Sequence, residues 1–80
     1  MNAQDVQALI AAGLPGAIVR VESDDDTHFE ALIVAEQFAG KRTIARHQMI
    51  YAALGAKMGR EIHALSIAAH TPDEWRTQSG

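Results

Sequence analysis

The sequence predicts a single α/β (α+β) domain with the element order α-β-β-α-(α)-β-α. Three observations carry that reading: two alternating apolar runs flank an acidic turn, two segments repeat apolar residues at helical spacing, and a third strand-like run ends at a strong helix start. With 80 residues the chain is one domain, residues 1–80, whose core must use nearly every apolar side chain it has.

Asn2, with Asp5 three residues on, has the pattern of a capping box, and Val6, Leu9 and Ile10 recur at helical spacing up to Gly13, read as a C-terminal stop. Leu14-Pro15-Gly16 breaks that helix. Residues 17–22 then alternate as a half-buried strand does, with Ile18 facing away from Val19 and Val21. The run Ser23-Asp24-Asp25-Asp26-Thr27 forms turns readily, and residues 28–35 restore strand character, so the two strands make an antiparallel hairpin. After a turn at residues 37–40, a helix spans about residues 43–54 with Met49, Ile50, Ala53 and Leu54 as its apolar stripe. Gly55 and Gly59 loosen the next segment, which has room for one more helical turn before a third strand at residues 62–69. The last helix starts with Thr71 as N-cap, Pro72 at the first helical position, where a missing proline N–H costs nothing, and Glu74 two residues further.

Cysteine is absent, which removes a disulfide framework and fits a reducing compartment. No apolar run approaches the roughly 20 residues of a membrane span, and the N-terminus lacks the basic and apolar regions of a signal peptide. The expectation is a cytoplasmic chain with no membrane partner, monomeric when free. The net charge of −3 conceals a segregation: residues 22–36 hold six acids and no Lys or Arg, while residues 41–60 hold five bases (Lys41, Arg42, Arg46, Lys57, Arg60) and no acid. Lys41, Arg42 and Arg46 fall near a helix start, where the helix dipole disfavours cations, so an external anionic partner is expected for them.

His63 stands out within the apolar run Ile62-His63-Ala64-Leu65-Ser66-Ile67, as a candidate ligand on a rigid strand. Neutral imidazole coordinates iron, zinc or copper, and in a chain without cysteine any thiolate ligands of such a centre must come from another molecule. His47 has no partner at metal-ligand spacing, and His70 sits just before the Thr71 cap. Enzyme signatures are missing: Ser23, Ser66 and Ser79 have no nucleophile-elbow context, no glycine-rich phosphate loop is present, and Asp24-Asp25-Asp26 lacks the glycine and distal glutamate of a calcium loop.

The strings Phe38-Ala39-Gly40-Lys41-Arg42, Ala45-Arg46-His47-Gln48-Met49-Ile50-Tyr51, Ile62-His63-Ala64-Leu65-Ser66-Ile67 and Thr71-Pro72-Asp73-Glu74-Trp75 resemble the BolA family, most closely its short bacterial members of the IbaG type. The resemblance covers nearly the whole chain. It implies a three-stranded sheet with helices packed on one face, related to the type II KH fold. It also implies a non-enzymatic adaptor, active in iron–sulfur cluster handling or the iron and stress response, that pairs with a monothiol glutaredoxin. The two proteins would share a [2Fe–2S] cluster, with His63 as a ligand and glutaredoxin cysteine and glutathione supplying thiolates to the other iron. None of this would be held tightly by the isolated chain. The family often places a second ligand, cysteine or histidine, four positions before the phenylalanine that here is Phe29, and this chain has Asp25 there. Three arrangements remain open: Asp25 ligates weakly, His28 substitutes, or the cluster is held by fewer protein ligands. The rival reading is a KH-like nucleic-acid-binding transcriptional regulator using Lys41, Arg42, Arg46, Lys57 and Arg60. Against it, Gly55-Ala56-Lys57-Met58-Gly59 is one residue longer than the Gly-x-x-Gly clamp.

Overall fold

The computed structural model describes residues 1–79, with side chains described to Gln78. In chain order they form α1 (Ala3–Gly13), β1 (Ile18–Glu22), β2 (His28–Val34), a 3₁₀ turn (Glu36–Phe38), α2 (Thr43–Leu54), a second 3₁₀ turn (Gly55–Lys57), β3 (Ala64–His70) and α3 (Pro72–Ser79). The element order is the one the sequence predicts, with the extra helical turn after Leu54 realised as 3₁₀.

The three strands make one sheet in the order β1-β2-β3. β1 and β2 pair antiparallel, Val19 opposite Ile33 and Val21 opposite Ala31, while β2 and β3 run parallel, Phe29 beside Leu65 and Ile33 beside Ala69. Parallel neighbours need a long crossover, and α2 provides it. Alternation places Val21, Phe29, Ala31 and Ile33 on one face, where they form a single core with Val6 and Ile10 of α1, Ile50 and Leu54 of α2, and Phe38. The opposite face carries Ile18, Arg20, Glu22, Glu30, Ser66 and Ala68, all exposed. Among the described residues no helix is long and apolar enough to cross a membrane.

Two local readings gain detail or change. α1 does end at Gly13, with Leu14 as its C-cap, but the glycine has a further reason: a Cβ on Gly13 would come within 2.6 Å of the Ala53 Cβ on α2. Its role is to let two helices approach closely. The third strand begins at Ala64 rather than residue 62, because Ile62 pairs only as an isolated bridge with Met58. His63 therefore lies one residue ahead of β3, held between that strand and the fully buried Ile62.

Both helix-start signals hold. Asn2 and Asp5 exchange reciprocal capping bonds of 2.9 and 3.1 Å, and Thr71 and Glu74 do the same at 3.2 and 3.0 Å. Glu74 also reaches beyond its own helix, where its two carboxylate oxygens accept from the Arg46 guanidinium at 2.6 and 3.0 Å. Arg46 in turn donates to the carbonyls of Lys41 and Ala69 and lies over the Phe38 ring, 5.8 Å from its centroid. One arginine thus ties α2 to the end of β3 and to α3. Trp75 on α3 packs against His70, ring centroids 5.7 Å apart.

Candidate functional site

The loop between β1 and β2 is held by its own side chains. Ser23 Oγ donates to the His28 carbonyl at 2.6 Å and accepts from the Asp26 N–H at 3.0 Å, while Asp26 itself adopts a left-handed φ of 57° that short polar residues tolerate. Asp25 Oδ1 accepts from the N–H groups of Thr27 (3.0 Å) and His28 (2.9 Å), and Asp25 Oδ2 meets His28 Nδ1 at 2.8 Å. The His28 N–H, its ring and the Thr27 N–H hold the Asp25 carboxyl well below the usual carboxylate range. Asp25 is therefore a carboxylate with both oxygens engaged inside the loop. An ionised carboxylate only accepts hydrogen bonds, so His28 Nδ1 carries the proton and donates.

His28 opens β2 on the exposed face, its side chain 71% accessible, and pairs with Ala64. This register sets His63 one residue before the partner of His28, at the same end of the sheet. His63 is exposed and its ring makes no hydrogen bond among the described residues, so it is not a core histidine satisfied by the backbone. Next to these residues a shallow cleft of about 300 Å³ is lined by Glu22, Asp24, Asp25, His28, Glu30 and Ser66. Neutral imidazole nitrogens suit iron, as the two-histidine iron of Rieske centres shows. Among the described residues no three His, Asp or Glu side chains gather into a group able to hold a metal ion.

The five basic residues do not form one face. Arg46 is satisfied internally, its side chain only 11% exposed. Since Arg46 bonds to the Ala69 carbonyl, it lies some six residues along β3 from His63, about 20 Å at the rise of a strand. Lys41, whose carbonyl Arg46 also holds, belongs to that far end, and Arg42 is the N-cap of α2. Lys57 and Arg60 lie in the turn that leads into His63, with Lys57 paired to Glu61 at 2.9 Å. Lys41, Arg42 and Arg60 make no side-chain ion pair among the described residues. The anion that meets Arg46 is Glu74 of this chain rather than an external partner. The Thr-Pro-Asp-Glu start at residue 71 was the signal that could have supplied this counter-charge, but a capping box by itself does not show that α3 folds back onto α2. Nor does spacing alone reveal that Asp25 and His28, three apart in a turn, engage each other. Of the remaining aromatic and imidazole groups, Tyr51 is exposed, with His47 edge-on to its ring at 6.5 Å.

Residues 13–74 match the profile of the family described as BolA-like protein. The chain belongs to the BolA-like family. A BolA homologue from Coxiella burnetii has a solved structure that superposes with a TM-score of 0.85 at 38% identity, covering 95% of this chain and 97% of that one. A protein of the rpoN-murA intergenic region of Acinetobacter guillouiae, itself uncharacterised, is 39% identical over 99% of this chain and 95% of its own length. The Escherichia coli protein named DNA-binding transcriptional regulator BolA is 34% identical over 69% of this chain. The chain spans about half the length of several such curated relatives: 52% of the Escherichia coli regulator and 43% of human BolA-like protein 1. The BolA-like match takes in the β1–β2 loop, Arg46, His63 and Glu74.

Proposed function

We propose that this BolA-like chain is a non-enzymatic cytoplasmic adaptor that docks a monothiol glutaredoxin and shares a [2Fe–2S] cluster with it. It would serve iron–sulfur cluster handling or the iron and stress response. The observation that carries the reading is the pair of exposed histidines, His63 and His28, at one end of the sheet of a chain with no thiol of its own. Their imidazole nitrogens would take one iron, and the glutaredoxin cysteine with glutathione would take the other. The cluster supplies the redox and ligand-exchange chemistry; the chain's residues orient donors and recognise the partner. Arg60, free of ion pairs among the described residues and three residues before His63, is the cation placed to meet an acidic group of the partner or a glutathione carboxylate. Because only neutral imidazole coordinates, acidification is expected to release the cluster.

Native mass spectrometry after anaerobic reconstitution with a monothiol glutaredoxin, glutathione, iron and sulfide tests this. A one-to-one heterodimer carrying the cluster mass, lost in His63→Ala, is the expected result. Only cluster-bearing glutaredoxin homodimers, with wild type and variant alike, would refute it.

A second reading rests on Lys41 and Arg42, cations without an ion pair among the described residues, at the end of the molecule remote from His63. They would contact phosphates of a nucleic acid, the role named in the Escherichia coli relative. Binding of that kind weakens steeply with added salt and weakens further in Arg42→Glu. Affinity indifferent to both eliminates it.

A further inference from the structure

Resting on the shared-cluster reading, we infer that Asp25 is not a ligand but a positioning residue, which fixes the His28 ring through Nδ1–H and turns His28 Nε2 outward as the second donor. Three observations support this. Oδ2 of Asp25 lies 2.8 Å from His28 Nδ1, a charge-assisted distance, while Oδ1 is taken by the Thr27 and His28 N–H groups at 3.0 and 2.9 Å. Each carboxylate oxygen already accepts from a group of the loop. The His28 ring is 71% exposed at the rim of the acidic cleft, and no second hydrogen bond to it is made among the described residues, so Nε2 faces outward with its lone pair available. Histidine ligands are commonly held in this way, one nitrogen on the metal and the other N–H on a carboxylate that sets tautomer and ring angle.

The loop shows why a carboxylate is suited to this place. One residue must cap two backbone N–H groups and also accept from an imidazole, and only a side chain with two acceptor oxygens does both. Asparagine is nearly the same shape but can do only the first. With its oxygen on the Thr27 and His28 N–H groups, its NH₂ would face Nδ1 as a donor, which selects the opposite ring tautomer, protonated at Nε2. Asp25→Asn thus preserves the loop and reverses the ring. Asp25→Ala removes the caps and leaves the ring free to adopt either tautomer.

The experiment combines long-range ¹H–¹⁵N correlation of the histidine rings in the free chain at neutral pH with cluster occupancy in the reconstituted glutaredoxin complex. Wild type is expected to show His28 protonated at Nδ1 and bare at Nε2. Asp25→Asn should switch to the Nε2–H form and lose roughly 10- to 100-fold in cluster affinity, the range seen when the carboxylate behind a histidine ligand is removed. Asp25→Ala should lose less than Asp25→Asn, although it damages the loop more. A merely structural Asp25 gives the reverse order, and that order overturns the inference. So does a His28→Ala variant with normal occupancy beside an Asp25→Ala variant with none, because Asp25 would then be the ligand. If wild type forms no shared cluster at all, the adaptor reading fails, whatever tautomer His28 shows. If wild type and Asp25→Asn form it equally, the role of Asp25 alone is wrong.

Discussion

Gly13 shows how a single residue is constrained by an element far from it in sequence. Its missing Cβ lets α1 and α2 touch, since an added methyl would meet the Ala53 Cβ at 2.6 Å, too close for either helix backbone to absorb without moving. Gly13→Ala should therefore destabilise the fold by about 1–3 kcal/mol as an overpacking change, despite alanine's better helix propensity. Urea unfolding measures this, and pairing the change with Ala53→Gly should restore part of the loss. A neutral or stabilising Gly13→Ala would mean that the helices are not in tight contact. The end of α1 at Gly13 was legible from the sequence, since end-of-helix glycine is common, but the contact with Ala53 was not, because helix–helix distance has no signature in one segment. His63 was legible for the opposite reason: a histidine inside an apolar run is conspicuous anywhere. Its exposure was not, since it depends on β3 starting only at Ala64. Asp25 was singled out by position, but its bonds to Thr27 and His28 were not legible, because a turn carboxylate next to a histidine has the same residue types whether it ligates a metal or holds the ring.

At the level of elements, the helices, hairpin and caps follow from local patterns, whereas the Arg46–Glu74 pair, which joins α3 to α2 and β3 beside the shared core, does not. The Arg46 guanidinium, and after it the Thr71 N–H, lower the Glu74 pKa from 4.5 to about 2. With the native value below the ordinary one, the unfolded chain takes up this proton first as the pH falls. The stabilising contribution is therefore complete above about pH 4.5 and is lost between there and about pH 2. Glu74→Gln should lower the urea midpoint at neutral pH and flatten its dependence on pH across that acidic window. Equal slopes in wild type and variant would show that the pair contributes nothing to folding. The same geometry bears on charge reversal: Arg46→Glu would place a second carboxylate against Glu74 and perturb the fold, so it cannot serve as a clean test of partner binding. In the core, Ile33 is fully buried at the centre of the sheet, and Ile33→Ala should cost about 2–5 kcal/mol in the same unfolding assay.

At the scale of the whole molecule, the acidic and basic segments of the sequence do not become two opposed faces. The parallel pairing of β2 with β3 brings the β1–β2 loop beside His63, while β2 carries the chain to the other end of the sheet, where Lys41 and Arg42 precede α2. This division separates the two readings by location. Arg60→Glu should slow association with a glutaredoxin and flatten its salt dependence, whereas Lys41→Glu with Arg42→Glu should leave both unchanged, as surface plasmon resonance would show. Equal effects at both ends would mean that net charge, not a docking site, governs the encounter. The division could not be read from charge runs, because it depends on which end of each strand the chain returns to.

In the proposed function this chain contributes imidazole nitrogens to a cluster completed by another protein's thiolates. Pulsed electron paramagnetic resonance of the reduced heterodimer cluster, with only this chain carrying ¹⁵N-histidine, tests it most directly. Two directly coupled ¹⁵N nuclei are expected, one lost in His63→Ala and the other in His28→Ala. A spectrum with no ¹⁵N coupling from this chain would contradict it.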